Sequence, residues 1–526
     1  MILRRLLAGL LAVSTALSAP AFAQVRLPAL GESASEDLSI GAERRLGDEI
    51  MREARRDPMY LDDPVLLEYV QQLWDPLVAA ARKRGDINAE NDTSFAWEAF
   101  LVRDRSVNAF AWPGGYVGVH LGLIALTTAP DQFASVLAHE LSHVTQRHIA
   151  RSIAPQQRAS MVAIAAFLLG IIAASRSNSP DAANAAIMGG QGAAIQGQLN
   201  FSREVEREAD RIGYGVLVEA GFSPAGMAAM FEKMDVATRL NDNGGFPYLR
   251  SHPLTLDRIA EARNRALLGG TAAPGPTLLH SMMQARARVM MDDTAQSLQR
   301  LTGASSSPLL AERVGALYGG ALASSLLKDA ARAESLVAEA QRAAATATPR
   351  EPAAERALLL LQAQLRLARG DGAAALQALD GLRSRPGERP PLLLRAQAVL
   401  ELQRSAPGGH NVALRDSTEA LQTWVAERPR DPIAWELLAA TSDALGLKLR
   451  SMRAAAEARV VVGDLTGAID RLRAAQQVSR GATGQDFIEG SVIDSRLRQI
   501  TAQRRQLQLD ARESRGGRDP DESRPQ

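Results

Sequence analysis

The spacing of apolar residues predicts helices along most of the chain and a short sheet near its beginning. Apolar positions recur at intervals of three and four through 37–51 and 63–84, as in amphipathic helices. Two short alternating runs follow, at 94–102 and Tyr116–His120, separated by the turn-forming Pro113-Gly114-Gly115. They predict a small antiparallel sheet. Helical spacing then dominates, so we expect a mainly α protein.

The helical region after the Ala272-Ala273-Pro274-Gly275-Pro276 linker contains degenerate repetition. Segment 357–382 has the pattern of a helix-turn-helix pair, and the pattern returns around Trp435-x-x-Leu438 and Val460-x-x-Gly463-Asp464. Such units look like tetratricopeptide repeats, which stack in pairs to form a concave binding surface. The alternative is an ordinary helical domain without a peptide groove.

The first 23 residues have the pattern of a secretory signal peptide. Arg4 and Arg5 precede an apolar run over 6–17, and Ala21-Phe22-Ala23 fits a signal peptidase site. The alternative, an N-terminal membrane anchor, would need an apolar stretch of about 20 residues. We therefore expect export and cleavage after Ala23.

Composition excludes several kinds of protein. The chain has 526 residues, 46% of them hydrophobic, which is enough for at least two domains. A formal charge of +1 provides no electrostatic field for nucleic acid. The absence of cysteine excludes disulfides and thiolate metal sites, so His, Asp and Glu are the only plausible metal ligands.

The strongest chemical signal is His139-Glu140-x-x-His143 within an apolar helical pattern. Residues four apart share a face of a helix, so the two histidines can chelate one zinc ion. Glu140 lies next to that face, where it can take a proton from a metal-bound water. The alternative is a pair of structural core histidines.

His148 is a tempting additional ligand. On a continuous helix, however, it projects near the side opposite His139. The motif with a third histidine would place that residue at 149, where the chain has Ile149. We therefore do not assign His148 to the metal, and leave it as a residue behind the ligands or at the surface.

A third ligand is expected from the helical segment that begins near residue 200. Its Glu206 and Asp210 are four apart and share a face, whereas Glu204 and Glu208 project away from it. Histidine ligands commonly donate their free N–H to a carboxylate. We assign Glu206 as the ligand and Asp210 as the carboxylate that orients a histidine. The alternative is a solvated, charged helix.

These motifs together resemble the gluzincin metallopeptidases of the HtpX and CAAX-prenyl-endopeptidase superfamily. The resemblance rests on His139-Glu140-x-x-His143, on Glu206-x-x-Ala209-Asp210-Arg211 and on Asn108-Ala109-Phe110-Ala111-x-Pro113-Gly114-Gly115-Tyr116. It implies an α+β zincin-type metalloprotease domain with one Zn²⁺ per chain. The signal peptide and the repeats are similar to those of the periplasmic branch of β-barrel assembly-enhancing proteases.

The same resemblance implies roles for two later residues. Ser251-His252-Pro253-Leu254 is similar to a segment whose histidine lies over the active site and, in the periplasmic branch, can take the fourth zinc position and repress the enzyme. By its chemistry alone, His252 could equally be structural. Arg258 would either hydrogen-bond an oxyanion or position the His252 loop.

The sequence thus divides into a signal peptide (1–23), a zinc metalloprotease domain (24–270), a tetratricopeptide-like domain (271–510) and a disordered tail (511–526). We predict a periplasmic zinc endopeptidase that degrades misfolded or stalled outer-membrane proteins and meets their assembly machinery through the repeats. The alternative is a periplasmic chaperone or scaffold with little proteolysis. The apolar run 161–174 is short for a membrane span, and predicts a buried hairpin or a peripheral membrane contact.

Overall fold

The computed structural model describes residues 38–152, 202–240, 246–268, 275–303, 307–382, 387–405, 411–480 and 484–516. The predicted signal peptide and the apolar run 161–174 lie outside these residues. None of the helices in the described ranges is both long enough and apolar enough to span a membrane.

The predicted metal-binding motifs lie in an N-terminal region of ten helices and four strands, counted over the described residues. These elements are α1 (Ile40–Ala54), β1 (Tyr60–Leu61), α2 (Pro64–Arg84), α3 (Ala89–Ser94), β2 (Glu98–Val102), β3 (Ala109–Trp112), β4 (Tyr116–His120), α4 (Leu121–Leu126), α5 (Pro130–Thr145), α6 (His148–Ser152), α7 (Arg203–Glu219), α8 (Ala225–Leu240), α9 (Tyr248–Ser251) and α10 (Leu256–Leu268).

The described part of the C-terminal region is entirely helical, as the spacing predicts. Its helices are α11 (Leu278–Met291), α12 (Ala295–Leu301), α13 (Leu310–Leu326), α14 (Ala330–Ala344), α15 (Pro352–Ala368), α16 (Gly372–Asp380), α17 (Arg389–Ser405), α18 (Asn411–Glu427), α19 (Pro432–Ala444), α20 (Lys448–Val461), α21 (Leu465–Val478) and α22 (Gln485–Gly516). Consecutive helices pack on one another through most of the array. The mainly α fold class is therefore confirmed.

The sheet is mixed, which corrects the prediction of an antiparallel sheet. Its strand order is β1-β2-β4-β3, and the two predicted strands, β2 and β4, pair in parallel. The sequence pattern missed β3, which forms an antiparallel hairpin with β4. Gly114 and Gly115 close that hairpin with φ values of 77° and 90°, which residues other than glycine rarely adopt. Because the chain crosses the sheet and then turns back, β4 runs in the direction of β2.

Helix α5 lies at the centre of the N-terminal region and is buried on all sides. Helices α2, α7 and α8 and strand β3 pack against it. At Gly213 of α7, an added Cβ would lie 3.1 Å from the carbonyl oxygen of Ala138 on α5. The absence of a side chain at this position therefore lets α7 approach α5 closely.

The two regions share one apolar core. A single cluster of buried residues runs from Leu61 to Leu394 and includes side chains from both sides of residue 270. A buried ion pair reinforces the junction, because Arg286 of α11 donates to both carboxylate oxygens of Asp63 at 2.7 and 2.8 Å. Asp63 also caps α2 by accepting from the backbone N–H of Leu66. The first helices of the C-terminal region are thus part of the same core as α5.

A buried histidine at this junction should make the fold sensitive to mild acid. His280 accepts a hydrogen bond from the Tyr69 hydroxyl at 2.5 Å, and its other ring nitrogen donates to the carbonyl of Thr127 at 3.1 Å. Burial lowers the pKa of His280 to about 4. Between that value and an unfolded pKa near 6.5, the unfolded chain binds more protons, so stability falls as the pH falls.

We expect protonation of His280 in the unfolded chain to lower the free energy of unfolding by about 2 kcal/mol when the pH falls from 7 to 5. Denaturant unfolding of the wild type and of His280→Gln at both pH values measures this. The variant should be less stable at pH 7, because it loses native contacts, but should lose less stability on acidification. An equal loss in both proteins would contradict the assignment.

Candidate metal centre

Helix α5 brings the first two predicted ligands together in a buried position. His139 and His143 are each 1% exposed, and Glu140 between them is 0% exposed. The Nε2 atoms of the two histidines lie 3.0 Å apart. Two neutral imidazoles that face each other with their lone pairs would repel, so this arrangement suits a proton or a metal cation between them.

Helix α7 supplies the carboxylate that the sequence assigned to the metal. The two carboxylate oxygens of Glu206 lie 3.4 Å from His139 Nε2 and 3.6 Å from His143 Nε2. Glu204 is exposed, and Glu208 points toward a different side chain, described below. The structure therefore places Glu206 on the face of α7 that the four-residue spacing indicated, and the close approach at Gly213 brings that face to α5.

The segment between α9 and α10 places His252 over the same cluster. Its Nδ1 lies 2.9 Å from Glu206 Oε1 and 3.3 Å from His139 Nε2, and its Nε2 lies 3.6 Å from Glu140 Oε1. Ligand atoms from His139, His143, Glu206 and His252 all lie within 4.8 Å of one another. Three imidazoles and one carboxylate form a donor set that zinc prefers, so these residues fit that ion.

The charges in the cluster are also those of a cation site. Burial disfavours protonation of His139, but hydrogen bonds with Asp210 and Glu206 outweigh it and raise the pKa of His139 to about 10. Burial and then the neighbouring charge of His139 hold the pKa of His143 well below its ordinary value. Burial raises the pKa of Glu206, yet the adjacent His252 and His139 outweigh it and keep this carboxylate ionised. A metal ion would replace the proton on His139.

Asp210 and Arg258 form a second layer behind the ligands. Asp210 Oδ1 lies 3.0 Å from His139 Nδ1, as expected for a carboxylate that orients a histidine. Arg258 donates to both oxygens of Asp210, at 2.7 and 2.8 Å, and its Nη1 lies 2.9 Å from Glu206 Oε2. The same Nη1 donates to the carbonyl of Pro253, next to His252. These contacts favour a positioning role for Arg258 over oxyanion binding.

Two contacts of this centre were not predicted from the sequence, which left His148 either behind the ligands or at the surface. The ring of Tyr248 stacks on His252 with centroids 4.6 Å apart, a contact between two residues that no motif connected. His148 Nδ1 lies 2.9 Å from His143 Nδ1, although a continuous helix would carry it away from the metal face. The helix is not continuous, because α5 ends at Thr145 and Arg147 has a φ of 52°. No glycine or proline in the sequence marks this turn.

Comparison with known proteins identifies the family to which the chain belongs. Residues 69–266 match the model of Peptidase family M48. A Beta-barrel assembly-enhancing protease of Yersinia pestis is 31% identical over 485 residues, which cover 91% of this chain and 92% of that protein. A protein of the same description from Escherichia coli K12 is 39% identical over 250 residues, 47% of this chain and 49% of that protein. A relative from Vibrio cholerae is 39% identical over 275 residues, 51% and 53% of the two chains.

These last two alignments span about half of each relative, whereas the first spans nearly all of it. The family match contains all the residues discussed above, from the paired histidines to Arg258. The predicted enzyme class and metal are confirmed with it. The chain therefore belongs to the zinc metalloendopeptidases of peptidase family M48.

Proposed function

We propose that this protein is a periplasmic endopeptidase that cleaves misfolded or stalled outer-membrane proteins. The observation that carries the proposal is the buried convergence of His139, His143, Glu206 and His252, with the Glu140 carboxylate beside them. The name of the relatives from Yersinia pestis and Escherichia coli supports the substrate class. The periplasmic location is supported by the signal-peptide pattern before Gln24.

His139, His143 and Glu206 would hold the zinc ion. When bound, zinc polarises a scissile carbonyl and acidifies water. Neither carboxylate oxygen of Glu140 has a hydrogen-bond partner among the described residues. A buried, unsatisfied carboxylate beside the metal ligands is well placed to accept the proton of the attacking water and to deliver it to the leaving amine.

Strand β3 would hold the substrate in an extended conformation. It is an edge of the described sheet, because it pairs only with β4. Edge strands have unpaired backbone groups that can bind an extended peptide as an additional strand. Strand β3 packs directly against α5, the helix of the paired histidines. A peptide paired with β3 would therefore be presented to the metal. Because only an extended segment can pair in this way, unfolded substrates would be favoured over folded ones.

His252 would repress the resting enzyme by occupying the position that water needs. Its Nδ1 lies within reach of both His139 and Glu206, and Arg258 holds the adjacent Pro253. We expect His252→Ala to cleave casein severalfold faster than the wild type, with unchanged zinc content. Slower cleavage by a variant that keeps its zinc would show instead that His252 acts directly in catalysis.

The substrate class can be tested with the full-length protein. The zinc-loaded wild type should cleave an unfolded outer-membrane barrel protein and leave the same protein intact once it is folded in detergent. Glu140→Gln is the matched inactive control. Complementation then separates protease from chaperone, because full rescue of an outer-membrane assembly defect by Glu140→Gln would show that the repeats act without proteolysis.

A further inference from the structure

The two histidines of α5 have different partners behind them. His139 contacts the Asp210 carboxylate through Nδ1, the arrangement expected for a metal-binding histidine. Behind His143 stands a third imidazole, since His143 Nδ1 lies 2.9 Å from His148 Nδ1. The far side of that ring reaches a carboxylate, with His148 Nε2 lying 3.1 Å from Glu208 Oε2. A carboxylate therefore stands behind each histidine, directly in one case and through His148 in the other.

The proton positions in the hydrogen-bonded series His143–His148–Glu208 follow from a count of donors and acceptors. Ionised Glu208 can only accept, so His148 must donate from Nε2. A neutral His148 then has a lone pair on Nδ1, which can only accept from His143. His143 must therefore carry its proton on Nδ1, and its Nε2 keeps the lone pair that faces His139 and Glu206. This is the tautomer required to bind a metal through Nε2.

The backbone is built to place His148 in this position. Arg147, in the left-handed conformation, turns the chain out of α5 immediately before His148. The Arg147 side chain donates to Glu43 at 2.8 Å and to the carbonyl of Leu38 at 2.6 Å, which fixes the turn against α1. His148 itself is 2% exposed. A left-handed conformation is costly for arginine and persists only where surrounding contacts impose it.

Helix α7 supplies a carboxylate on each side of the His143 ring. Its Glu206 faces the Nε2 edge, and its Glu208 reaches the Nδ1 edge through His148. We propose that His148, backed by Glu208, is a positioning residue that fixes the tautomer and orientation of His143 for zinc. The inference rests on the proposed zinc site. It adds a second pair of side chains that orients a ligand, as Asp210 and Arg258 do for His139.

Zinc affinity is the primary test, because removal of such an orienting partner lowers metal affinity about 10- to 100-fold. We expect this loss in full-length His148→Ala, measured by competition with a chromophoric zinc chelator. Glu208→Ala should lose less, because His148 can still accept from His143. His148→Asn should recover part of the affinity, since its side-chain oxygen can stand in for Nδ1 as an acceptor.

Arg151→Ala is the matched control. Arg151 contacts the same Glu208 oxygen at 3.4 Å without forming part of the His143–His148–Glu208 series of contacts, so the variant should bind zinc within twofold of the wild type. The thermal midpoint of each metal-free variant reports folding separately. If His148→Ala does not fold, the graded losses in Glu208→Ala and His148→Asn decide the question.

A spectroscopic signature distinguishes positioning from general packing. In the zinc-loaded wild type with ¹⁵N-labelled histidine, His143 should show a protonated Nδ1 and an unprotonated, metal-bound Nε2. A zinc affinity of His148→Ala within twofold of the wild type, with the same ¹⁵N pattern, would overturn the inference while leaving the zinc site intact. A wild type that binds no zinc would overturn the proposed function as well.

Discussion

Replacement of Glu140 by glutamine is expected to lower kcat/KM for peptide cleavage about 100- to 10,000-fold, the range attributed to a general base. Glutamine has the same shape but cannot accept the proton of the attacking water. Glu140 is fully buried, and its oxygens have no hydrogen-bond partner among the described residues, so the amide should replace the carboxylate without disrupting a network.

The zinc content of Glu140→Gln should remain one per chain, because the cluster of possible ligands comprises His139, His143, Glu206 and His252 and does not include Glu140. Metal analysis and cleavage of an unfolded substrate on the same sample test both parts. Glu204→Gln, which changes an exposed glutamate of α7, is the control and should retain activity. A Glu140→Gln variant that cleaves at the wild-type rate would exclude the proposed mechanism.

Replacement of Glu206 by glutamine is expected to weaken zinc binding more than about 100-fold, beyond the effect of losing an orienting partner. The change removes the only carboxylate among the four convergent ligands. It also removes the negative charge that holds Arg258 Nη1 at 2.9 Å and helps to keep the His139 pKa high. Arg258 would keep Asp210 as a partner, so the fold should survive.

Zinc competition and thermal unfolding, each with and without zinc, measure this effect. The wild type should gain stability from zinc, because a ligand that binds only the folded state stabilises it. Glu206→Gln should gain none at the same zinc concentration, whereas Glu204→Gln should behave as the wild type. If Glu206→Gln bound zinc normally, the ligand set would be His139, His143 and His252, and the role of Glu206 would have to be revised.

The sequence predicted the parts of the centre that depend on local helical geometry. The spacing of His139 and His143, and that of Glu206 and Asp210, translates directly into shared faces of α5 and α7. The large separation in sequence between the two helices did not affect this prediction, because the spacing of each motif is defined within its own helix. The family resemblance added His252 and Arg258, whose placement depends on a loop that periodicity does not predict.

The features that the sequence missed depend on breaks and on long-range pairing. An ideal helix placed His148 away from the metal, whereas a left-handed Arg147, held by Glu43 from α1, turns it back. The orientation of β2 and β4 was wrong because the intervening β3 is short and reads as part of a loop. In both cases the deciding contact comes from a residue or strand outside the local pattern.

The apolar cluster that joins described residues from Leu61 to Leu394 limits how such a chain can change in length. Beyond it, the C-terminal helices have separate small cores, one around Leu421 and another around Leu472. The far end is not independent of the N-terminal region, because Arg56 donates to the carbonyl oxygens of Val462 and Gly463. Units of a stacked array can therefore be gained or lost with little effect on the metal centre only beyond that contact. The same change near Leu278 would expose the interior of the protease. The helices next to the catalytic region are therefore constrained in length, and only those beyond Gly463 are free to vary.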